Sequence, residues 1–208
     1  MESIGHQGPV HKRYRLAQES LDIVIDAGVP VRVLLKRKLD RHILVVTLIF
    51  GAWLLIVMLS PFLVPSGQLT DLSGAVFRID NARKIEGINP IAWLIYSAGD
   101  FNCHQLRERS FFLNDNQMPF CARDVGLFFG AALGSLSSLL LVLRLKWQYV
   151  AFALIPFALD VAAQELTAYE STNELRVATG FIAGAACAIF ICQKVEMPVE
   201  IKDAEERP

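Results

Sequence analysis

The chain has 208 residues, a formal net charge of −1, 53% hydrophobic residues and 20% charged ones. The near-neutral balance gives no reason to expect nucleic acid as a partner, and the apolar residues fall in blocks instead of following the period of a soluble domain. Residues 43–64 carry no charge and are about as long as the ~20 residues that cross a hydrocarbon core. The expectation is an all-α, polytopic transmembrane helical bundle with about five spans, one of them short or kinked.

Residues 1–13 are polar and contain Gly5, Gly8 and Pro9, a composition that suits a loosely held tail. Leu16, Leu21, Ile23, Val24 and Ile25 predict a short amphipathic helix, ended by Gly28 and Pro30. Arg32, Lys36, Arg37, Lys38 and Arg41 crowd the start of the first apolar run, which places the N-terminus on the cytoplasmic side. Residues 1–30 lack the apolar core of a cleavable leader, so the first span is expected to persist. Residues 1–41 are thus read as a cytoplasmic tail with an interfacial helix, 42–193 as the transmembrane domain and 194–208 as a charged tail.

The first span ends at Pro61 and Pro65, and the loop over residues 66–87 mixes acids and bases, with a helical turn expected near residues 80–85. A second apolar run begins at Ile88, with Pro90 suited to a first helical turn. It spans only if the helix continues to about residue 107, which would put Asp100, Cys103, His104 and Arg107 on one face. Residues 109–119 form a loop with Asn114, Asp115 and Asn116 as turn formers.

The third span, 124–143, repeats Gly126, Gly130 and Gly134; the fifth, 177–192, repeats Gly180, Gly184 and Ala188. Such small-residue faces let helices approach closely, within a chain or in a homo-oligomer. Arg144 and Lys146 end the third span, against the positive-inside bias of this count. The fourth span, 147–166, contains Pro156 and, near its end, Asp160 and Gln164 on one face. Ser171 and Glu174 fit a capping box for the fifth. Counting crossings from a cytoplasmic N-terminus puts residues 100–123 and 165–176 together on the cytoplasmic side, where they can share a pocket.

Cys103, His104, Cys121 and Asp124 have the donor types that hold zinc or another divalent transition metal ion. A Cys103–Cys121 disulfide, in the case that the loop lies outside, or two buried thiols beside a hydrogen-bonded histidine, are the other readings; a cytoplasmic site would keep the thiols reduced. Asp160 is the strongest single candidate, because an ionisable group within an apolar helix is costly unless paired or functional. With His104 and Gln164 it forms a candidate catalytic set. Arg109, Arg123 and Arg176, with Asp100 and Asn173, are candidates for holding an anionic substrate. Cys187 and Cys192 read as apolar filler.

The run CHQLRERSFFLNDNQMPFCARD, followed by LDVAAQ and STNELRVATGFIAG, resembles the domain of unknown function 2085 family of predicted integral membrane proteins. The resemblance covers roughly residues 100–184 and implies a multi-span protein. Two positions depart from the family pattern: Asp124 stands where Cys-Ala-Arg-Cys has its last cysteine, and Val161 follows Asp160 where the pattern has Asp-Gly. Three function classes follow for a multi-pass protein of the cell membrane: an enzyme acting on a lipid or anionic small molecule at the inner surface, a component of a solute or ion transporter, and a structural or regulatory subunit.

Overall fold

The computed structural model describes residues 39–196. The amphipathic helix expected before Pro30, the basic residues up to Lys38 and the tail from residue 197 lie outside the described residues. Five helices make an all-α bundle. These are α1 (Arg41–Leu59), α2 (Pro90–Asn102), α3 (Ala122–Leu140), α4 (Trp147–Leu166) and α5 (Asn173–Val195), with one two-stranded hairpin, β1 (Phe112–Leu113) and β2 (Asn116–Gln117).

The helix ends follow local chemistry. The Asp40 carboxylate accepts from the backbone N–H groups of His42 and Ile43, which caps α1. Pro61 turns its C-terminal end into a short 3-10 segment, Ser60–Leu63. Asn89 caps α2 ahead of Pro90. Asn114 and Asp115 take positive φ values of 53° and 55°, the tight turn that matches the twist of a hairpin. Residues 80–85 form a hydrogen-bonded turn and not a helix, with Asn81 O accepting from Lys84 and Ile85.

Three helical segments, Arg41–Leu63, Trp147–Leu166 and Asn173–Val195, are long and apolar enough to cross a membrane. Exposed Val45, Leu48, Ile49, Phe152, Ile155 and Leu159 clothe α1 and α4 in apolar surface suited to lipid. α3 runs beside α5 in the same direction for its whole length and so passes through the same layer. Gly126 lies against Val177, Gly130 against Phe181 and Gly134 against Ala185, while Gly180 lies against Arg123 and Gly184 against Leu127. A methyl group at Gly126, Gly130, Gly180 or Gly184 would overlap the facing backbone carbonyl. The two small-residue faces are therefore consumed by each other, and the expected homo-oligomer contact through them is withdrawn.

α2 does not cross. Its first turns pack Ala92 and Tyr96 against Val64, Leu69, Leu72 and Ile85, beyond the end of α1. Its last turn delivers Cys103 to Phe120 and Val125 at the start of α3. Both ends of α2 therefore stay at one end of the bundle, which residues 64–121 cover as a cap. Trp53, Phe120 and Phe128 meet edge to face beneath it, with centroids 5.1–5.9 Å apart. At the opposite end Ile43, Leu139 and Cys192 join α1, α3 and α5.

Removing one crossing reverses the sidedness of everything after α1. The two polar segments do converge, as expected, but at the end far from the start of α1 and not on the N-terminal side. The loop carrying Arg144 and Lys146 now lies with Arg41 and Lys194, since Leu145 N donates to Gln193 Oε1 at 2.7 Å.

Candidate functional site

Irregular backbone near a membrane must find partners for its polar groups, and amide side chains supply them in the cap. Asn116 Nδ2 donates to Pro61 O and Pro65 O, both at 3.0 Å, and its Oδ1 accepts from Leu69 N. Gln117 Oε1 accepts from Leu72 N, and Tyr96 Oη donates to Gln117 O at 2.7 Å. Gln105 Nε2 donates to Pro119 O at 2.7 Å, close to Gly99, where a side chain would strike the same carbonyl. Asp100, expected among the anion-binding groups, is buried and accepts from Asn81 N at 2.8 Å and Asn81 Nδ2 at 2.7 Å. It fastens the cap and does not reach the arginines.

Two polar clusters remain once this scaffold is set aside. In the first, ligand atoms of Cys103, Cys121 and Asp124 lie within 4.8 Å of one another. Cys121 Sγ donates to Asp124 Oδ2 at 3.2 Å. Hydrogen bonding to Cys121, then burial, pushes the Cys103 thiol far above its ordinary range. The cysteines are free thiols and not a disulfide.

His104 does not join this cluster. Because α2 ends at Asn102, residue 103 is extended (φ −139°, ψ 148°) and successive side chains alternate, so Cys103 and Gln105 point inward and His104 is exposed. The helical face expected to align Asp100, Cys103, His104 and Arg107 is absent for that reason. Among the described residues, the Asp160 carboxylate accepts hydrogen bonds from Arg123 and Ser171 and none from His104.

The second cluster joins the start of α3, the end of α4 and the start of α5. Arg123 Nη2 and Nε donate to Asp160 Oδ2 at 2.6 and 3.2 Å, with both side chains largely withdrawn from solvent. Gln164 Nε2 donates to Asp160 O and to Ser171 Oγ. Arg176 Nη2 donates to Gln164 Oε1 at 3.1 Å and to Glu170 Oε2 at 3.0 Å, and its Nη1 to Asn173 Oδ1. Arg109 Nη2 reaches the other oxygen of Glu170 at 2.5 Å. The Arg109 guanidinium, with Arg176 adding to it, holds the Glu170 carboxyl below its ordinary value.

Sequence reasoning found Asp160, Gln164, Arg109, Arg123, Arg176 and Asn173, and the structure brings all six together. It missed two members. Ser171 was assigned to a capping box, but Thr172 caps α5 by accepting from Leu175 N, which leaves Ser171 free to join Gln164 and Asp160. Glu170 carried no motif; only its place six residues past Gln164, the end of the Asp160/Gln164 face, could have pointed to it.

Three buried side-chain polar atoms among the described residues have no hydrogen-bond partner: Arg109 Nε, Asp160 Oδ1 and Arg176 Nε. All three belong to this one cluster. Unsatisfied buried groups are rare and costly, so their concentration marks the place where the fold has been left incomplete for something other than folding.

Residues 103–190 match a family described as predicted membrane protein, DUF2085. An uncharacterized protein of Methanocaldococcus jannaschii is 36% identical over 107 residues, which cover 49% of this chain and 68% of that protein. No solved structure matches the chain.

Proposed function

Because the chain belongs to the DUF2085 family of predicted membrane proteins, we propose that it is a multi-pass membrane metalloprotein acting on an anionic lipid or small molecule. Its capped end would hold a divalent transition metal beside that ligand. The observation that supports this is the gathering of two thiols and a carboxylate, with Arg123, one residue before Asp124, committed to the neighbouring cluster. Ligand atoms of a tetrahedral zinc site stand roughly 3.5–4 Å apart. The spacing of Cys103, Cys121 and Asp124 needs only small adjustments to meet that. The donor set is borderline-soft, with aspartate adding a harder ligand.

Three protein ligands leave a fourth position open, as in catalytic sites and unlike closed structural ones. A bound ion would supply Lewis-acid polarisation of an oxygen on the ligand. The chain's own residues would do the rest: Arg123 and Asp160 fix α4 against α3, and Arg109 and Arg176 offer positive charge to the anion. His104 takes no part in this reading.

Orientation follows from charge. We assign the end that carries Arg41, Arg144, Lys146 and Lys194 to the cytoplasm, on the basic cluster that the sequence places just before α1, and the capped end, whose arginines and lysines are interspersed with acids, to the opposite face. A cysteine-specific, membrane-impermeant label on a tag within residues 75–79 tests this; labelling only after permeabilisation contradicts it.

Elemental mass spectrometry on the detergent-purified, reduced protein tests the metal. The expected result is about one ion per chain in the parent and in His104→Ala, and none in the Cys103→Ser, Cys121→Ser double variant. A folded, reduced parent that takes up no zinc, cobalt or iron on dialysis overturns the metal reading. A structural role for the same ion is favoured by one observation, the burial of Cys103 among Val57, Ile95, Met118 and Phe120. It predicts that chelation lowers the melting temperature steeply, whereas an open ligand-binding site tolerates chelation with a small loss.

A further inference from the structure

The guanidinium pair at the end of the bundle is mismatched to the group that bridges it. Arg176 is 3% exposed and Arg109 18%, yet each meets Glu170 through a single Nη, and each leaves its Nε buried without a partner. A guanidinium engages an oxyanion best as a fork, through Nε and Nη together. Two forks need four acceptor sites arranged in three dimensions, and one planar carboxylate presents two oxygens. The shortfall is in acceptors.

The charge balance points the same way. Asp160 is committed to Arg123, so Glu170 alone answers both Arg109 and Arg176. Arg176 is the fourth residue of α5, near the positive end of the helix dipole, which Glu174 in the first turn offsets in part. The site is left with an excess of about one positive charge in a partly desolvated place. Glu170 itself is 56% exposed, on the six-residue connection between α4 and α5, and an exposed ion pair holds weakly. It can swing away without breaking the core.

We propose that Arg109 and Arg176 form a phosphate-binding subsite in which the Glu170 carboxylate is an internal stand-in, displaced when a phosphate group enters. A phosphate presents three or four oxygens tetrahedrally and satisfies both forks at once. Exposed Leu166 and Tyr169 precede Glu170 in the chain, and exposed Phe111 and Phe112 follow Arg109, apolar and aromatic residues of the kind that sit at head-group depth. The phosphate therefore comes either from a phospholipid head group or from a soluble phosphate. This deepens the function proposed above by naming its ligand, and rests on that reading for the membrane placement alone.

The test uses the full chain, stripped of metal with a chelator and of phospholipid by exchange into non-ionic maltoside micelles. Inorganic phosphate is titrated against chloride at constant ionic strength while the melting temperature is followed. In a second arm phosphatidylglycerol is added to the micelles, and native mass spectrometry counts the lipids retained per chain. Glu170→Gln removes the competitor and should bind several-fold more tightly than the parent; Arg109→Gln should lose binding. A merely structural salt bridge would give the reverse for Glu170→Gln, or nothing. A saturable response to inorganic phosphate assigns a soluble ligand, and retention of phosphatidylglycerol without that response assigns a head group; either supports the subsite. No response to both probes in folded Glu170→Gln, or weaker binding than the parent, overturns it. Because the protein is free of metal throughout, failure here leaves the Cys103–Cys121–Asp124 reading untouched, and the metal analysis fails or stands by itself.

Discussion

α3 and α4 are neighbours of the same central helix, and they are attached to it by opposite means. α3 meets α5 through glycines along its whole length, backbone against backbone, with Gly126, Gly130 and Gly134 facing Val177, Phe181 and Ala185. α4 buries just two residues, Asp160 and Gln164, and both are polar. Lipid tails are as apolar as leucine, so burial of apolar surface gives helices in a bilayer little reason to associate. Close van der Waals packing holds α3, and hydrogen bonds concentrated in the last two turns hold α4.

The largest expected effect breaks the first kind of attachment. Gly130→Leu or Gly184→Leu places a side chain where a carbonyl of the facing helix stands, and relief requires the helices to separate. The cost should exceed the ~1–3 kcal/mol of ordinary overpacking. The expected outcome is loss of the monodisperse peak in size-exclusion chromatography; retention of a sharp peak with native melting would show that the α3–α5 contact is looser than described.

The next breaks the second kind. Arg123→Ala leaves Asp160 buried without its guanidinium, which typically costs about 3–5 kcal/mol. Limited proteolysis should then cut the α4–α5 connection sooner while the α3–α5 pair persists. Replacing both partners together, Arg123→Met with Asp160→Leu, should recover much of the loss, because neither buried charge remains. Failure of the double change to recover stability would mean that the pair's partners Gln164 and Ser171 carry the attachment.

The smallest sharpens the contrast. Phe152→Ala and Leu159→Ala truncate residues of α4 that are 67% and 64% exposed, and denaturant midpoints should move by no more than about 0.5 kcal/mol. A larger loss would reveal apolar contacts holding α4 along its length and would erase its difference from α3.

Much of the site was legible because its residues announce themselves chemically. Asp160 stands out in an apolar helix, Gln164 follows one turn later, and Arg176 follows the small-residue face of α5 by register. The motifs behind the family resemblance also supply both clusters and the amides of the cap, from Gln105 and Gln117 to Arg123 and Asn173. Glu170 and Asn81 were silent, since an acid in a connection and an amide in a long loop look like any others until their partners are placed. His104 was misplaced by an error of one helix boundary. Continuing α2 past Asn102 put it on the face of Cys103, and the extended chain puts it opposite.

Composition and block length determined that the chain spans a membrane, because ~20 uncharged residues have no better environment, and the glycine spacing determined which helices could touch. What tertiary structure decided was where α2 ends and therefore at which end of the bundle the polar segments gather. α2 is apolar enough to suggest a crossing, but loops 64–89 and 103–121 satisfy each other's backbone groups at one end of the bundle, with Leu69, Leu72 and Gly74 bonded to Asn116, Gln117 and His104. A hydrogen-bonded pairing between segments some 45 residues apart leaves no periodic trace in either one, so only the folded chain could place it.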